Sequence, residues 1–178
     1  MNETKETKNW FARRAKTEAK KDIIPSSERF GNIVGLVVIL LIGLYFVAHQ
    51  MWSTGFFTSE FDTLIMILFY VSLMFGIFSN VVKVLFGRKN LARPVDVFEF
   101  LFATVATSWL FVVFPFEFAY FADVLPDFLR FLVQWISNDI AGVLMVIGII
   151  VAPIVAAYTA IMYMLVRREL SKPTSTTS

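Results

Sequence analysis

The residues best suited to chemistry are the single histidine, His49, and a group of carboxylates that flank apolar segments. Imidazole and carboxylate groups act as general acids, general bases and cation ligands. The chain contains no cysteine, which excludes thiol catalysis, disulfides and cysteine-bound zinc or iron–sulfur centres. The candidate polar site consists of His49, Asp123, Asp127 and Arg130.

The spacing of the last three residues predicts their placement. Asp123, Asp127 and Arg130 recur at i, i+4 and i+7 within the apolar segment 121–136, which puts them on one face of a helix. This segment is too short to cross a bilayer, so we expect an external amphipathic helix that lies in the membrane interface. The alternative is a re-entrant helix, which would suggest a pore.

His49 lies near the end of an apolar run, where a lone histidine usually makes interfacial hydrogen bonds. The alternative is a hydrated cation or a substrate held by His49 and the acids on the same side. The sequence contains no metal-ligand or catalytic motif. We therefore predict no catalytic residue, no metal site and no cofactor.

Four long apolar runs must position these groups. Hydrophobic residues make up 57% of the 178 residues and charged residues 17%, whereas soluble domains are less apolar and more charged. About 20 apolar residues in a helix cross the hydrocarbon core. The sequence therefore predicts an all-α integral membrane protein, a four-transmembrane-helix bundle. Its predicted spans are 31–52, 62–86, 97–116 and 140–166.

Lysine and arginine are distributed unevenly between the two sides of these spans. Fifteen of the 16 lie before the first span, between the second and third spans, or after the fourth, and Arg130 alone lies on the other side. The positive-inside rule then places both termini in the cytoplasm of a multi-pass protein, which we expect in the cell membrane. We divide the chain into a basic cytoplasmic segment (1–29), a membrane domain (30–170) and a flexible C-terminal tail (171–178).

The basic N-terminal segment is rich in helix-forming residues over 8–24, with Phe11, Ala15, Ala19 and Ile23 on one stripe. One interpretation is an interfacial helix bound to anionic lipid head groups. The other is a loosely helical, solvated tail whose charges only fix the topology. Acids among the bases argue against a nucleic-acid partner.

Two acids follow the short connection between the second and third spans. Asp96 and Glu99 have the spacing of a capping box after Pro94, which predicts that they cap the third span. A cation site is the alternative, but the neighbouring basic residues would repel a metal ion. The sequence places no ionisable side chain deep in a span, which argues against a proton-coupled pump or a voltage sensor.

Small residues at i+4 spacing in the fourth span predict close helix packing. They are Gly148, Ala152, Ala156 and Ala160. We interpret this stripe as intramolecular packing and keep a homo-oligomer interface as the alternative. Pro153 in the same span predicts a kink.

Three functions remain. The first is a non-catalytic accessory, assembly or scaffold subunit of a larger membrane complex, which fits the missing catalytic motif and the packing stripes. The second is an oligomeric channel or small transporter for cations or small solutes, favoured by the acids on one side. The third is a membrane-embedded enzyme that uses His49 and carboxylates on a lipid substrate.

Overall fold

The computed structural model describes the backbone of residues 3–172 and the side chains of residues 10–172. Its helices are α1 (Glu3–Lys20), α2 (Ser26–Met51), α3 (Thr63–Phe86), α4 (Lys89–Val113), a 3-10 helix (Phe118–Tyr120), α5 (Asp127–Arg130) and α6 (Asn138–Leu170). Over this range there are no strands, only two isolated β-bridges. Most of the predicted flexible tail, from residue 173 onward, lies outside the described residues.

Helices α2, α3, α4 and α6 are each long and apolar enough to cross a membrane. This confirms the all-helical class and the prediction of four helices that are long and apolar enough to be spans. The 33 residues of α6 extend about 50 Å, which exceeds the ~30 Å of a hydrocarbon core. Part of α6 is therefore available to pack against elements outside the core.

The four long helices pack in chain order, α2 on α3, α3 on α4 and α4 on α6. Glycines permit the close approach of α2 to α3: a Cβ on Gly76 would lie 3.3 Å from Ile39 Cδ1, and one on Gly35 would lie 3.3 Å from Asn80 Oδ1. No Cα atom of α2 comes within 8 Å of one in α6 along these described helices. The predicted bundle is thus open between α2 and α6, which lipid permits because it solvates apolar faces.

One end of the assembly, here called the basic end, holds α1, the turn between α3 and α4, and the C-terminus of α6. Helix α1 buries Ala15 against Met162 and Val166 of α6. The next residues pair with the α3–α4 turn: the Ile24 amide donates to the Gly87 carbonyl at 2.8 Å, and the Lys89 amide donates to the Asp22 carbonyl at 2.8 Å. The N-terminal segment is therefore packed against the membrane domain, which neither interpretation of it anticipated.

The start of α4 differs from the predicted capping box. The helix begins at Lys89, so Pro94, Asp96 and Glu99 lie inside it, and the prediction that the two acids cap it is wrong. The Asp22 carboxylate instead accepts a 2.8 Å hydrogen bond from the backbone amide of the buried Asn90. This cap comes from a distant segment, and no local spacing in the sequence can reveal it.

The opposite end, here called the acidic end, consists of the connections 52–62 and 114–137. The predicted continuous helix over 121–136 is not formed, because only Asp127–Arg130 is α-helical. Most of the flanking backbone bonds span three residues, such as Leu125 to Ala122 and Leu132 to Leu129. Pro126 also lacks the amide that a continuing helix would require.

Candidate functional site

Aromatic packing joins the two connections at the acidic end. Eight phenylalanines, here called the phenylalanine cluster, form one hydrophobic group with their neighbours: Phe46, Phe56, Phe57, Phe61, Phe69, Phe116, Phe118 and Phe121. Backbone bonds cross between the connections, since the Glu117 amide donates to the Phe56 carbonyl at 2.8 Å and the Thr58 amide donates to the Pro115 carbonyl at 3.1 Å. The sequence analysis did not identify this cluster, although phenylalanine is dense in residues 56–61 and 114–121.

His49 lies inside this region and is 1% exposed. Its Nε2 lies 3.1 Å from the Phe121 carbonyl, and its Nδ1 lies 2.6 Å from Thr54 Oγ1. A carbonyl oxygen only accepts, so Nε2 carries the proton, and in the neutral ring Nδ1 accepts from the Thr54 hydroxyl. The Tyr45 hydroxyl donates to the same Phe121 carbonyl. Both imidazole nitrogens are thus engaged in bonds that hold α2 to the connections.

The other three predicted site residues lie together but make no bond to His49. Arg130 Nε is 3.3 Å from Asp127 Oδ1, and Arg130 Nη1 is 3.7 Å from Asp123 Oδ1. The Asp127 side chain is 97% exposed. Exposed ion pairs of this kind contribute little to stability, about 0–1 kcal/mol. The arrangement neutralises Arg130 and leaves it poorly suited to bind an anion.

Six members of the phenylalanine cluster line an apolar cavity of about 350 Å³. All four long helices contribute to its wall, through Phe46, Phe69, Leu110 and Met145 among others. Of the described residues that line it, Thr107 alone has a polar side chain. A cavity with so few polar partners does not hold ordered water, so it is suited to a hydrocarbon ligand.

A polar pocket of about 320 Å³ adjoins the cavity, and Phe118 and Ile136 line both. The Asn138 side chain fixes its shape by accepting from the Phe118 amide at 2.7 Å and donating to Glu117 Oε1 at 3.1 Å. Asp139 also lines the pocket, and its carboxylate has no hydrogen bond or ion pair within the described part of the chain. The pocket therefore offers negative charge beside an apolar cavity.

A second polar cluster lies between α3 and α4, nearer the basic end. Lys83 Nζ is 2.9 Å from Asp96 Oδ1, and the Ser79 hydroxyl donates to the same oxygen. Asp96 lies about 10 Å along α4 from the first residue of the helix. The signal in the sequence was Ser79 and Lys83 at i, i+4, which places both on one face of α3.

The predicted packing stripe is only partly enclosed. Ala156 is 2% exposed, whereas Gly148, Ala152 and Ala160 are intermediate. A Cβ on Gly148 would meet no other atom within 4 Å. Pro153 lies inside α6, which is continuous from Asn138 to Leu170, and the predicted kink stays a prediction.

Among the described residues, no three histidine or acidic side chains are grouped so as to hold a metal ion. The chain matches no family model, and neither a curated protein nor a solved structure resembles it. Any functional conclusion therefore depends on the geometry of the chain itself.

Proposed function

We propose that this chain is a non-catalytic accessory or assembly subunit that binds another membrane protein through α2. The observation that carries the proposal is the exposure of α2. Its most apolar 18-residue stretch contains no buried residue, and among the long helices it packs only on α3. The other three long helices each bury part of their apolar stretch.

The bonding of His49 favours this proposal over an enzymatic function. A general base needs a nitrogen that can reach the proton of a substrate. Here one ring nitrogen bonds the Phe121 carbonyl and the other bonds Thr54. These two bonds favour a structural role for His49, which is the residue that the enzymatic hypothesis would use as its general base.

Site-specific photo-crosslinking tests the proposed interface. A photoreactive amino acid replaces Val37, Leu41 or Leu44, which are 48%, 60% and 63% exposed on α2. The matched controls are Ile150 and Ile154, which are 57% and 63% exposed on α6. We expect one protein, identified by mass spectrometry, to crosslink in vivo to the α2 positions and not to the α6 positions. Crosslinks to lipid alone at all five positions would refute the proposal.

We further propose that the basic end faces the cytoplasm of the cell and that the acidic-end segment 121–136 lies in the outer interface. The support is the uneven distribution of basic residues and the positive-inside rule. The natural chain has no cysteine, so Lys16→Cys and Asp127→Cys each introduce a unique thiol. In intact cells, an impermeant maleimide should label the thiol at 127 and not the one at 16. The reverse pattern, or labelling of both thiols, would refute this orientation.

Anionic lipid head groups are the proposed partners of the basic face of α1. Arg14, Lys16 and Lys20 of α1 are exposed, as is Lys21 just after the helix, while Ala15 faces α6. Each such cation near an anionic surface contributes about 1 kcal/mol. Replacing Lys16 and Lys20 by Gln should reduce the anionic lipid retained in native mass spectrometry. Unchanged retention would refute this assignment.

A further inference from the structure

The apolar cavity and the polar pocket together have the two-part shape of an amphiphile site. The cavity is about 350 Å³ and the pocket about 320 Å³, and Phe118 and Ile136 line both. A single molecule that occupies both spaces must therefore have an apolar portion next to a polar portion. We infer that this site binds one membrane lipid, with a hydrocarbon chain in the cavity and, in the pocket, a head group that bears a primary ammonium.

The size of the cavity limits what can occupy it. If a methylene takes roughly the ~30 Å³ of a water molecule, the cavity holds about a dozen carbons of a single chain. A helix of another protein, with a diameter of ~10–12 Å including side chains, does not fit in this volume. A hydrocarbon chain is thus the occupant that the dimensions select.

The depth and opening of the cavity match a lipid chain. Leu110 lies three residues before the end of α4 and Phe69 six residues after the start of α3, so the cavity lies about 5–10 Å inside the acidic ends of these helices. This depth corresponds to the upper part of an acyl chain in one leaflet. The gap between α2 and α6 gives such a chain a lateral route from the bilayer.

The charges around the pocket select the head group. The acidic end carries five acids and one base, and Asp139 in the first turn of α6 adds a sixth acid beside it. Arg130 is already paired with Asp123 and Asp127. The Asp139 carboxylate and the second Glu117 oxygen have no partner in the described chain and are free to accept from an ammonium group. A head group with net negative charge would be repelled by the same carboxylates.

Photolabelling in nanodiscs tests the site. The full chain is reconstituted in phosphatidylcholine nanodiscs that contain a phospholipid with a diazirine in the upper half of one acyl chain. One set carries an ethanolamine head group and the other a glycerol head group. Leu110 is 6% exposed, whereas Val112, at nearly the same depth on α4, is 78% exposed. Because Leu110 is buried and lines the cavity, its labelling relative to Val112 reports a chain inside the protein.

We expect Leu110 to be labelled as strongly as Val112 by the ethanolamine lipid, and several-fold less by the glycerol lipid. Thr107→Phe, which fills the cavity, should abolish the Leu110 adduct and leave the Val112 adduct. Asp139→Asn should remove the head-group preference, and Glu60→Gln at the same end, outside the pocket, should not. If Thr107→Phe fails to fold, the labelling of Leu110 relative to Val112 in the natural chain still decides whether a lipid chain occupies the cavity.

Labelling confined to Val112 and other exposed positions would overturn the cavity site. Equal labelling of Leu110 by the two lipids would overturn the ammonium assignment. A crosslinked peptide from a second protein chain at the cavity would also overturn the inference. None of these results depends on whether α2 binds a partner, so this inference and the proposed function can fail separately.

Discussion

Replacing His49 by phenylalanine tests whether the buried imidazole is structural. Phenylalanine keeps the ring against Phe56 and Phe121, whose centroids lie 4.8 and 6.1 Å from that of His49. It removes the 3.1 Å bond to the Phe121 carbonyl and the 2.6 Å bond to Thr54 Oγ1. The carbonyl retains a donor because the Tyr45 hydroxyl also bonds to it. The main loss is therefore at the Thr54 hydroxyl.

Thr54 is partly buried and its hydroxyl still accepts from the Phe56 amide at 3.4 Å, so the loss of its own acceptor lies toward the lower end of about 1–3 kcal/mol. The second lost bond adds a smaller amount. We expect His49→Phe to lower the free energy of unfolding by about 2 kcal/mol. In a chain of this size that corresponds to a Tm decrease of about 4–8 °C. Thermal unfolding in a mild detergent, followed by tryptophan fluorescence, measures this change.

A double-mutant cycle with Thr54→Val isolates the Thr54–His49 bond. If that bond stabilises the protein, Thr54→Val should lower the Tm of the natural chain more than it lowers the Tm of the His49→Phe variant. An unchanged Tm for His49→Phe would refute the structural role. Loss of a measured activity at unchanged Tm would assign His49 a chemical role instead.

Three further variants test how the long helices and α1 are held. Asp22→Ala removes the cap on α4 and should lower the free energy of unfolding, measured by thermal unfolding, by about 1 kcal/mol. Asp22→Asn keeps an oxygen acceptor and should lower it less. Equal decreases for the two variants would contradict the cap. Gly76→Leu should lower the Tm because the added side chain obstructs the contact of α3 with α2. Gly148→Leu should leave the Tm unchanged, because a Cβ at Gly148 has no atom within 4 Å. Similar Tm decreases for the two variants would contradict the packing of α2 on α3. Val166→Asp places a charge at a residue that is 0% exposed, and α1 should become much more sensitive to trypsin; unchanged digestion would contradict the docking of α1.

The four spans were predictable because lipid requires long uncharged runs, and the composition of these runs identifies them directly. The start of α4 was not predictable because its cap is Asp22, far away in the sequence. Two of the four residues on the N-terminal stripe, Ala15 and Ala19, are alanines, which make only a weak apolar face for lipid. In the structure, the small Ala15 side chain lets α1 pack closely on α6. The stripe that could have bound lipid therefore contacts protein instead.

The candidate site was predictable only in part. The spacing predicted Asp123, Asp127 and Arg130 on one face of a helix. In the structure Arg130 pairs with both acids, but the chain around them forms turns rather than one long helix. The contact of His49 with Phe121 could not be predicted from the sequence, because the two residues are 72 positions apart in the chain. The cavity was also out of reach, since its wall combines all four long helices with the connections.

The docking of α1 has a consequence for the order in which the protein is made. Ribosomes synthesise a chain from its N-terminus, so α1 emerges before every element that it contacts. Its partners Met162 and Val166 are among the last residues of α6 to appear. Helix α1 is thus synthesised well before its binding surface, and its attachment reports that α6 has been made and has packed beside it.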